Sequence, residues 1–287
     1  MFRAFLKFIT VVILLVPQGL VAAPGDPVIG DLGWQGGAND NPHNLSSLAT
    51  HSRPKASPGE TTEICVFCHT PHGATPQTPL WSRPDPARMG SFTTYNSAIL
   101  DASGQFAIAT IAASKYGDNT TPGEEYPNGA SKLCLSCHDG VTSIGVLANG
   151  RSIAMTSGTI TDPAMYWDPL NPGAGMDFSK SHPVSFVYDA VVLPQINALK
   201  TDLGAGSEYK LPDAGSRIKL EARAGTTWMQ CTTCHEPHKD TKHGTTYPYP
   251  FWRNAGVGTE AQDYDLTCAE CHNSTIGPAT PTPHNNP

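Results

Sequence analysis

The sequence predicts a mostly irregular chain wrapped around covalently bound groups, with short helices at four cysteine segments and a few short strands. Two observations predict it. All eight cysteines fall in four C-x-x-C pairs, and each pair is followed directly by histidine. The chain also carries 27 Gly and 26 Pro in 287 residues, well above the roughly 12% that these two supply on average. Such frequent punctuation breaks long helices and strands.

The four segments are Cys65-Val66-Phe67-Cys68-His69, Cys134-Leu135-Ser136-Cys137-His138, Cys231-Thr232-Thr233-Cys234-His235 and Cys268-Ala269-Glu270-Cys271-His272. Two cysteines three apart can each form a thioether with a haem vinyl group, and the histidine after them falls beneath the iron as its proximal ligand; this is the meaning of C-x-x-C-H. Disulfides are the first alternative in an exported chain, but no cysteine stands outside a pair and every pair ends in histidine. With 11 histidines in 287 residues, four such adjacencies arise by composition roughly twice in a million. Zinc knuckles also use C-x-x-C, yet zinc needs no histidine next to every one. The expected cofactor is therefore four haem c, with iron. Their macrocycles would supply the apolar core that a Gly- and Pro-rich chain does not, which is why long loops are acceptable here despite their rarity in compact domains.

In chain order, residues 1–23 read as a secretory signal peptide: basic Arg3 and Lys7, an apolar run from Phe8 to Val16, then small residues near Val21-Ala22-Ala23. The run is short for a bilayer span, and no later segment is apolar enough for one. Export fits, because haem c is attached outside the bacterial cytoplasm. Residues 24–63 form an N-terminal arm, 64–230 a first dihaem unit with insertions, and 231–287 a second dihaem unit with a C-terminal tail. Net charge is −7 and becomes two units more negative when Arg3 and Lys7 leave. That balance gives no support to nucleic-acid binding, which wants a basic face.

The division into two units rests on an internal repeat. Cys65 to His72 and Cys231 to His238 share the pattern C-x-x-C-H-x-P-H. Each is followed by a Trp-containing stretch, Pro79-Leu80-Trp81-Ser82-Arg83 or Pro250-Phe251-Trp252-Arg253, and then by a simple motif. His72 and His238 are tethered too closely to serve the iron of their own segment. Proline fixes φ and restricts the residue before it, so each can be held toward an adjacent haem as a distal ligand. Trp81 and Trp252 read as packing residues; Arg83 and Arg253 would meet propionates or nothing. His182 precedes an apolar stretch, Val184 to Tyr188, expected to be a short strand, and is favoured as another distal ligand. A second strand is expected within Arg217 to Arg223. His43 and His51 lie in the arm, where either can swing to an iron or remain a surface histidine. His243 and His284 are weaker candidates.

Four proximal histidines leave seven, and only four are needed to give every iron two imidazoles. An iron so ligated has no open position and passes electrons. Met89, Met155, Met165, Met176 and Met229 then read as core fillers. A haem enzyme would need a vacant iron face with acid–base groups, and no lysine-substituted attachment motif marks one. No catalytic residue is expected.

His43-Asn44-Leu45-Ser46, Cys65 to Gly73, Pro79 to Arg83, Ser131 to Gly140, Ser181 to Asp189, Cys231 to His238 and Cys268 to Asn273 together resemble the multihaem cytochromes c of metal-reducing bacteria. The likeness is to the tetrahaem extracellular cytochromes that polymerise into filaments. The resemblance implies bis-histidine haems stacked in a continuous chain, a homopolymer in which one distal histidine comes from the neighbouring subunit, and redox partner cytochromes or extracellular acceptors. It implies distal roles for His43, His72, His182 and His238, with His43 the choice for donation to the next subunit and His51 its competitor. A monomeric periplasmic shuttle with all four distal ligands in one chain is the alternative.

Overall fold

The computed structural model describes residues 41–51, 53–74, 80–86, 128–157, 182–199, 208–223, 225–238, 251–254 and 260–273. The segment read as a signal, the arm up to residue 40, His243, His284, Met89, Met165 and Met176 lie outside them.

The described elements are short. A single 3-10 turn, Cys65–Phe67, carries the first cysteine segment. The helices are α1 (Gly129–His138), α2 (Leu193–Leu199), α3 (Cys231–Cys234) and α4 (Glu260–Ala269). The strands are β1 (Phe186–Val187), β2 (Glu208–Tyr209), β3 (Glu221–Arg223), β4 (Thr226–Met229) and β5 (His272–Asn273). Antiparallel β1, β4 and β3 form one sheet, with Phe186 opposite Met229 and Glu221 opposite Trp228. The β3–β4 reversal passes through Gly225 at φ +83°, a conformation cheap only for glycine. A second pair, β2 and β5, sets Tyr209 opposite His272. No helix among the described residues is long and apolar enough to cross a membrane.

Strand β1 is only two residues long because Ser185, at φ +60°, bends the chain just before it. The bend places the Ser185 hydroxyl against Gln230 Oε1 (3.0 Å) and the Asn128 carbonyl (3.3 Å). In the second expected strand, Arg217 to Arg223, only Glu221–Arg223 pairs.

Helix α1 starts without a side-chain cap from its own N-terminal residue, so its first amides need partners elsewhere. Ala130 N–H donates to Glu221 Oε2 (2.8 Å) and Ser131 N–H to Gln230 Oε1 (3.4 Å). A carboxylate at this end also suits the helix dipole. Gln230 Nε2 then donates to Asn128 Oδ1 (2.9 Å), and Cys231 N–H to Ser131 Oγ (2.9 Å). These bonds lock α1 to α3, and with them the second cysteine segment to the third. Only glycine fits where they converge: at Gly129, φ +54°, a Cβ would lie 2.5 Å from Gln230 Nε2 and 2.8 Å from Glu221 Oε1.

Two small apolar clusters stand where a large domain would have one core. Phe186, Val187, Tyr188, Val192, Ile196, Trp228, Met229 and Cys271 form the first. Ala56, Phe67, Ile144, Leu147 and Ile153 form the second, with Leu45 and Met155 packed on its edge. Ala56 and Leu45, which the sequence assigns to an N-terminal arm, thus belong to or pack on this second cluster. Ala56 N–H donates to the Leu45 carbonyl, and Ser57 N–H to the Ala154 carbonyl, each at 2.8 Å. The segment is pinned because Asn41 and Asn44 are buried and bond their own turns: Asn41 Oδ1 accepts His43 N–H (2.9 Å), and Asn44 Oδ1 accepts Ser46 Oγ–H (2.7 Å).

Gly129→Ala should lower the unfolding midpoint of the haem-loaded protein by the equivalent of about 1–3 kcal/mol, the ordinary cost of a strained left-handed residue, plus the displacement of Gln230. Gly150→Ala is the control, since Gly150 has φ +83° but open space around it. Equal losses in the two variants would show that the Gln230 network does not depend on the missing side chain.

Candidate haem-binding sites

Each cysteine segment makes one tight turn. His69 N–H donates to the Cys65 carbonyl (2.8 Å), His235 N–H to the Cys231 carbonyl (3.1 Å), and Cys271 N–H to the Cys268 carbonyl (3.1 Å). Cys134, Cys137 and His138 close the last turn of α1. Residues three and four apart on a helical turn share a face, so two sulfurs and one imidazole project together from each turn. Cys268 lies within α4, while Cys271 and His272 lie just beyond it, with His272 already in β5. None of the eight cysteines forms a disulfide.

The sequence repeat is also a repeat of backbone bonds. Thr70 N–H donates to the Leu80 carbonyl (2.7 Å) and Ser82 N–H to Cys68 (2.8 Å); Glu236 N–H donates to Phe251 (2.7 Å) and Arg253 N–H to Cys234 (2.9 Å). Leu80 and Phe251 both take positive φ, +66° and +62°. Each tryptophan then meets its segment's histidine edge-on: Trp81 at 5.8 Å and 83° from His69, Trp252 at 5.2 Å and 71° from His235. The two Trp residues are thus packing residues whose packing orients an imidazole.

Three segment histidines face a second imidazole brought from far along the chain. Ring centroids are 6.1 Å apart for His69 and His238, 6.1 Å for His138 and His43, and 6.4 Å for His272 and His182. An iron held between two imidazoles sets their centroids roughly 6.3 Å apart, given metal–nitrogen bonds of about 2 Å. The incoming rings are also anchored through the same nitrogen. His43 Nδ1 bonds the Pro237 carbonyl (3.0 Å), His182 Nδ1 the Pro183 carbonyl (2.8 Å), and His238 Nδ1 the Glu236 Oε1 (3.2 Å). An Nδ1–H so donated fixes the tautomer and leaves Nε2 with its lone pair for a metal. The residues therefore fit a bis-imidazole iron at three places. Burial first, and then neighbouring His43 and His235, push the His138 pKa down to about 3; burial likewise lowers those of His43 and His69. Neutral imidazole is the ligating form.

His43, expected as the ligand given to a neighbouring subunit, thus sits inside its own chain. Its ring stacks on Phe251 at 4.1 Å and 19°. The pinned 41–51 turn explains the difference from a free arm. His51, its competitor, spends Nε2 on the Asn44 carbonyl (2.9 Å). His72 is exposed, and the bond made there uses its backbone carbonyl, which accepts from Thr70 Oγ1 (2.6 Å).

Cys134 and Cys231 are hydrogen-bonded to each other, which joins the second segment to the third. Neighbouring thiols add to burial elsewhere, Cys137 at Cys68 and then Cys271 and Cys268 at Cys234. Burial, first among the causes, pushes the thiols of Cys68, Cys234 and Cys271 up to about 12.

The two repeat arginines diverge. Arg83 is fully buried and donates to backbone carbonyls of Ile144, Val146 (3.0 Å), Ser136 (3.1 Å) and Ser143 (2.7 Å). Arg253 donates Nε–H to the Thr232 carbonyl (2.7 Å) and pairs Nη1 with Glu236 Oε2 (3.1 Å). Sequence reasoning did not find these acceptors, nor Phe251 under His43, nor Glu236 beside His238. Only the repeat Pro-Leu/Phe-Trp signalled that these stretches return to the motif.

A family model described as the doubled CXXCH motif matches residues 224–277, the third and fourth segments. A doubled CXXCH motif indicates a multihaem c-type cytochrome, and so covalently bound haem c with iron, electron transfer and export from the cytoplasm. No curated protein matches the chain.

Arg83→Met should cost about 3–5 kcal/mol, because it leaves several buried carbonyls unpaired at roughly 1–3 kcal/mol each. Arg253→Met, at a partly exposed site, should cost less than half of that. Denaturation of the two loaded variants checks the order, and equal losses would contradict the role given to Arg83.

Proposed function

We propose that the chain is an electron carrier with four haem c, attached at Cys65 and Cys68, Cys134 and Cys137, Cys231 and Cys234, and Cys268 and Cys271, with His69, His138, His235 and His272 as proximal ligands. The observation that carries this reading is the set of three imidazole pairs at iron-spanning distance, each with Nδ1 already anchored. On it, His238 is the distal ligand opposite His69, His43 opposite His138 and His182 opposite His272. When bound, each haem supplies a one-electron couple. At three of the four segments the paired imidazoles would hold the iron, leaving no position there for substrate, and their anchored Nδ1 atoms would limit reorganisation when an electron passes. On this reading the four carriers sit in a haem-wrapped, mostly irregular fold, with the second and third segments joined by the Cys134–Cys231 hydrogen bond.

For the fourth iron we assign His72. It is exposed, the three other assigned distal histidines are engaged within the chain, and His51 Nε2 is spent on a carbonyl. An exposed ligand suits donation to a second copy, so the chain is read as a subunit of an extracellular homopolymer that passes electrons from cytochrome partners to extracellular acceptors. The alternative is a periplasmic shuttle, in which His72 serves an iron of its own chain.

His43→Ala should convert one haem per chain from low to high spin while His51→Ala converts none, read by absorption and paramagnetic resonance of the oxidised protein. His72→Ala should convert one haem and leave the protein monomeric. Retention of polymers by His72→Ala would eliminate its bridging role, and conversion by His51→Ala would reassign the arm's ligand.

A further inference from the structure

The two C-x-x-C-H-x-P-H segments differ at one informative position. Between the proximal histidine and proline, the first has Thr70 and the second Glu236. The Thr70 hydroxyl bonds a backbone carbonyl. Glu236 instead faces the imidazole that its own segment sends away: Oε1 accepts from His238 Nδ1 (3.2 Å) and from His238 N–H (3.3 Å). Oε2 is held by Arg253 Nη1 at 3.1 Å, and Arg253 is itself tied to the Thr232 carbonyl. The carboxylate is therefore oriented from its far side and presents one oxygen to the ring. His43 and His182 give their Nδ1–H to neutral backbone carbonyls.

We propose that Glu236 is a potential-setting residue: it lowers the reduction potential of the haem attached at Cys65 and Cys68, whose distal ligand is His238. This rests on the ligand assignment of the preceding subsection. A carboxylate accepting Nδ1–H is a charge-assisted bond. It raises the basicity of the imidazole, as outer partners of metal-bound histidines do, and a more strongly donating ligand favours ferric over ferrous iron. Hydrogen bonding around an axial ligand is one of the levers that a protein has on haem potential. One electron enters on reduction, and the hydrogen stays on Nδ1. Because Glu236 is supplied by the third segment and acts on the haem of the first, the second half of the repeat sets a redox property of the first half. The haem facing His238 is thereby distinguished from those facing His43 and His182, which have no carboxylate in this position.

The test is Glu236→Gln in the haem-loaded full chain, with spectroelectrochemical titration and paramagnetic resonance of the oxidised form. Glutamine keeps the size and an acceptor oxygen but removes the charge. The expected result is an unchanged haem count with all wild-type low-spin centres retained. One redox component moves to higher potential, and the g values of one centre change. Unmoved potentials would overturn the proposal. So would a moved component with every g value unchanged, since that is the signature of a charge acting through space, for example on the iron of adjacent His235, and not through the ligand. His238→Ala separates this failure from failure of the ligand assignment. One haem turning high-spin upholds the assignment on which the proposal rests, whereas no change in spin state overturns both.

Discussion

One constraint runs through the described residues: an imidazole on a tight cysteine turn is held 6.1–6.4 Å from a second imidazole brought from far along the chain. His69 and His238 are 169 positions apart and His138 and His43 are 95 apart in the numbering, yet both pairs are held at 6.1 Å. Neither cluster of apolar side chains is large enough to organise so much irregular backbone, and ordering each residue costs on the order of 1–2 kcal/mol in entropy. Polar hubs do much of the local work. Gln230 joins α1, α3 and Ser185, and Arg83 gathers four carbonyls from the last turn of α1 and the loop that follows it. Such hubs set positions, and bound macrocycles would bring the apolar contact area that they lack.

Duplication gives this architecture its economy, and divergence gives it direction. Both copies of the doubled motif return through a Trp stretch that pairs antiparallel with the proximal histidine, and both need a residue at positive φ to do so. From that shared frame the arginines part. One is withdrawn into the interior, where its partners are carbonyls; the other stays near the surface and steadies a carboxylate. The same scaffold thus gives the two copies of the doubled motif different electrostatic surroundings.

Much of the site was legible in the sequence because haem attachment is a local pattern. Five consecutive residues carry it, and the turn that they form follows from spacing alone. The pairing partners were legible only as a pool. Nothing in the sequence near His43 signals that Pro237 will accept its Nδ1–H or that Phe251 will lie against its ring, because both are decided by tertiary packing. Asn, Ser and Pro around residues 41–51 read as a loop, and so they are, but the side-chain oxygens of buried Asn41 and Asn44 accept backbone N–H groups of that loop and hold its turns, which the sequence did not signal. Short strands near Tyr188 and Arg223 were visible in the sequence, while the bounds Phe186–Val187 and Glu221–Arg223 were not; at the first of them Ser185 takes up a left-handed backbone to reach Gln230.

The most direct measurement is paramagnetic resonance of the fully oxidised, haem-loaded chain. Imidazole planes that are nearly parallel separate the iron d orbitals and give a rhombic low-spin signal; perpendicular planes leave two orbitals nearly degenerate and give a highly anisotropic one. With interplanar angles of 19° for His69 and His238, 44° for His138 and His43, and 90° for His272 and His182, the account predicts distinct low-spin centres, one of them highly anisotropic. High-spin signals accounting for more than one iron per chain would contradict it, because at least one of the three imidazole pairs would then stand without holding a metal between its rings.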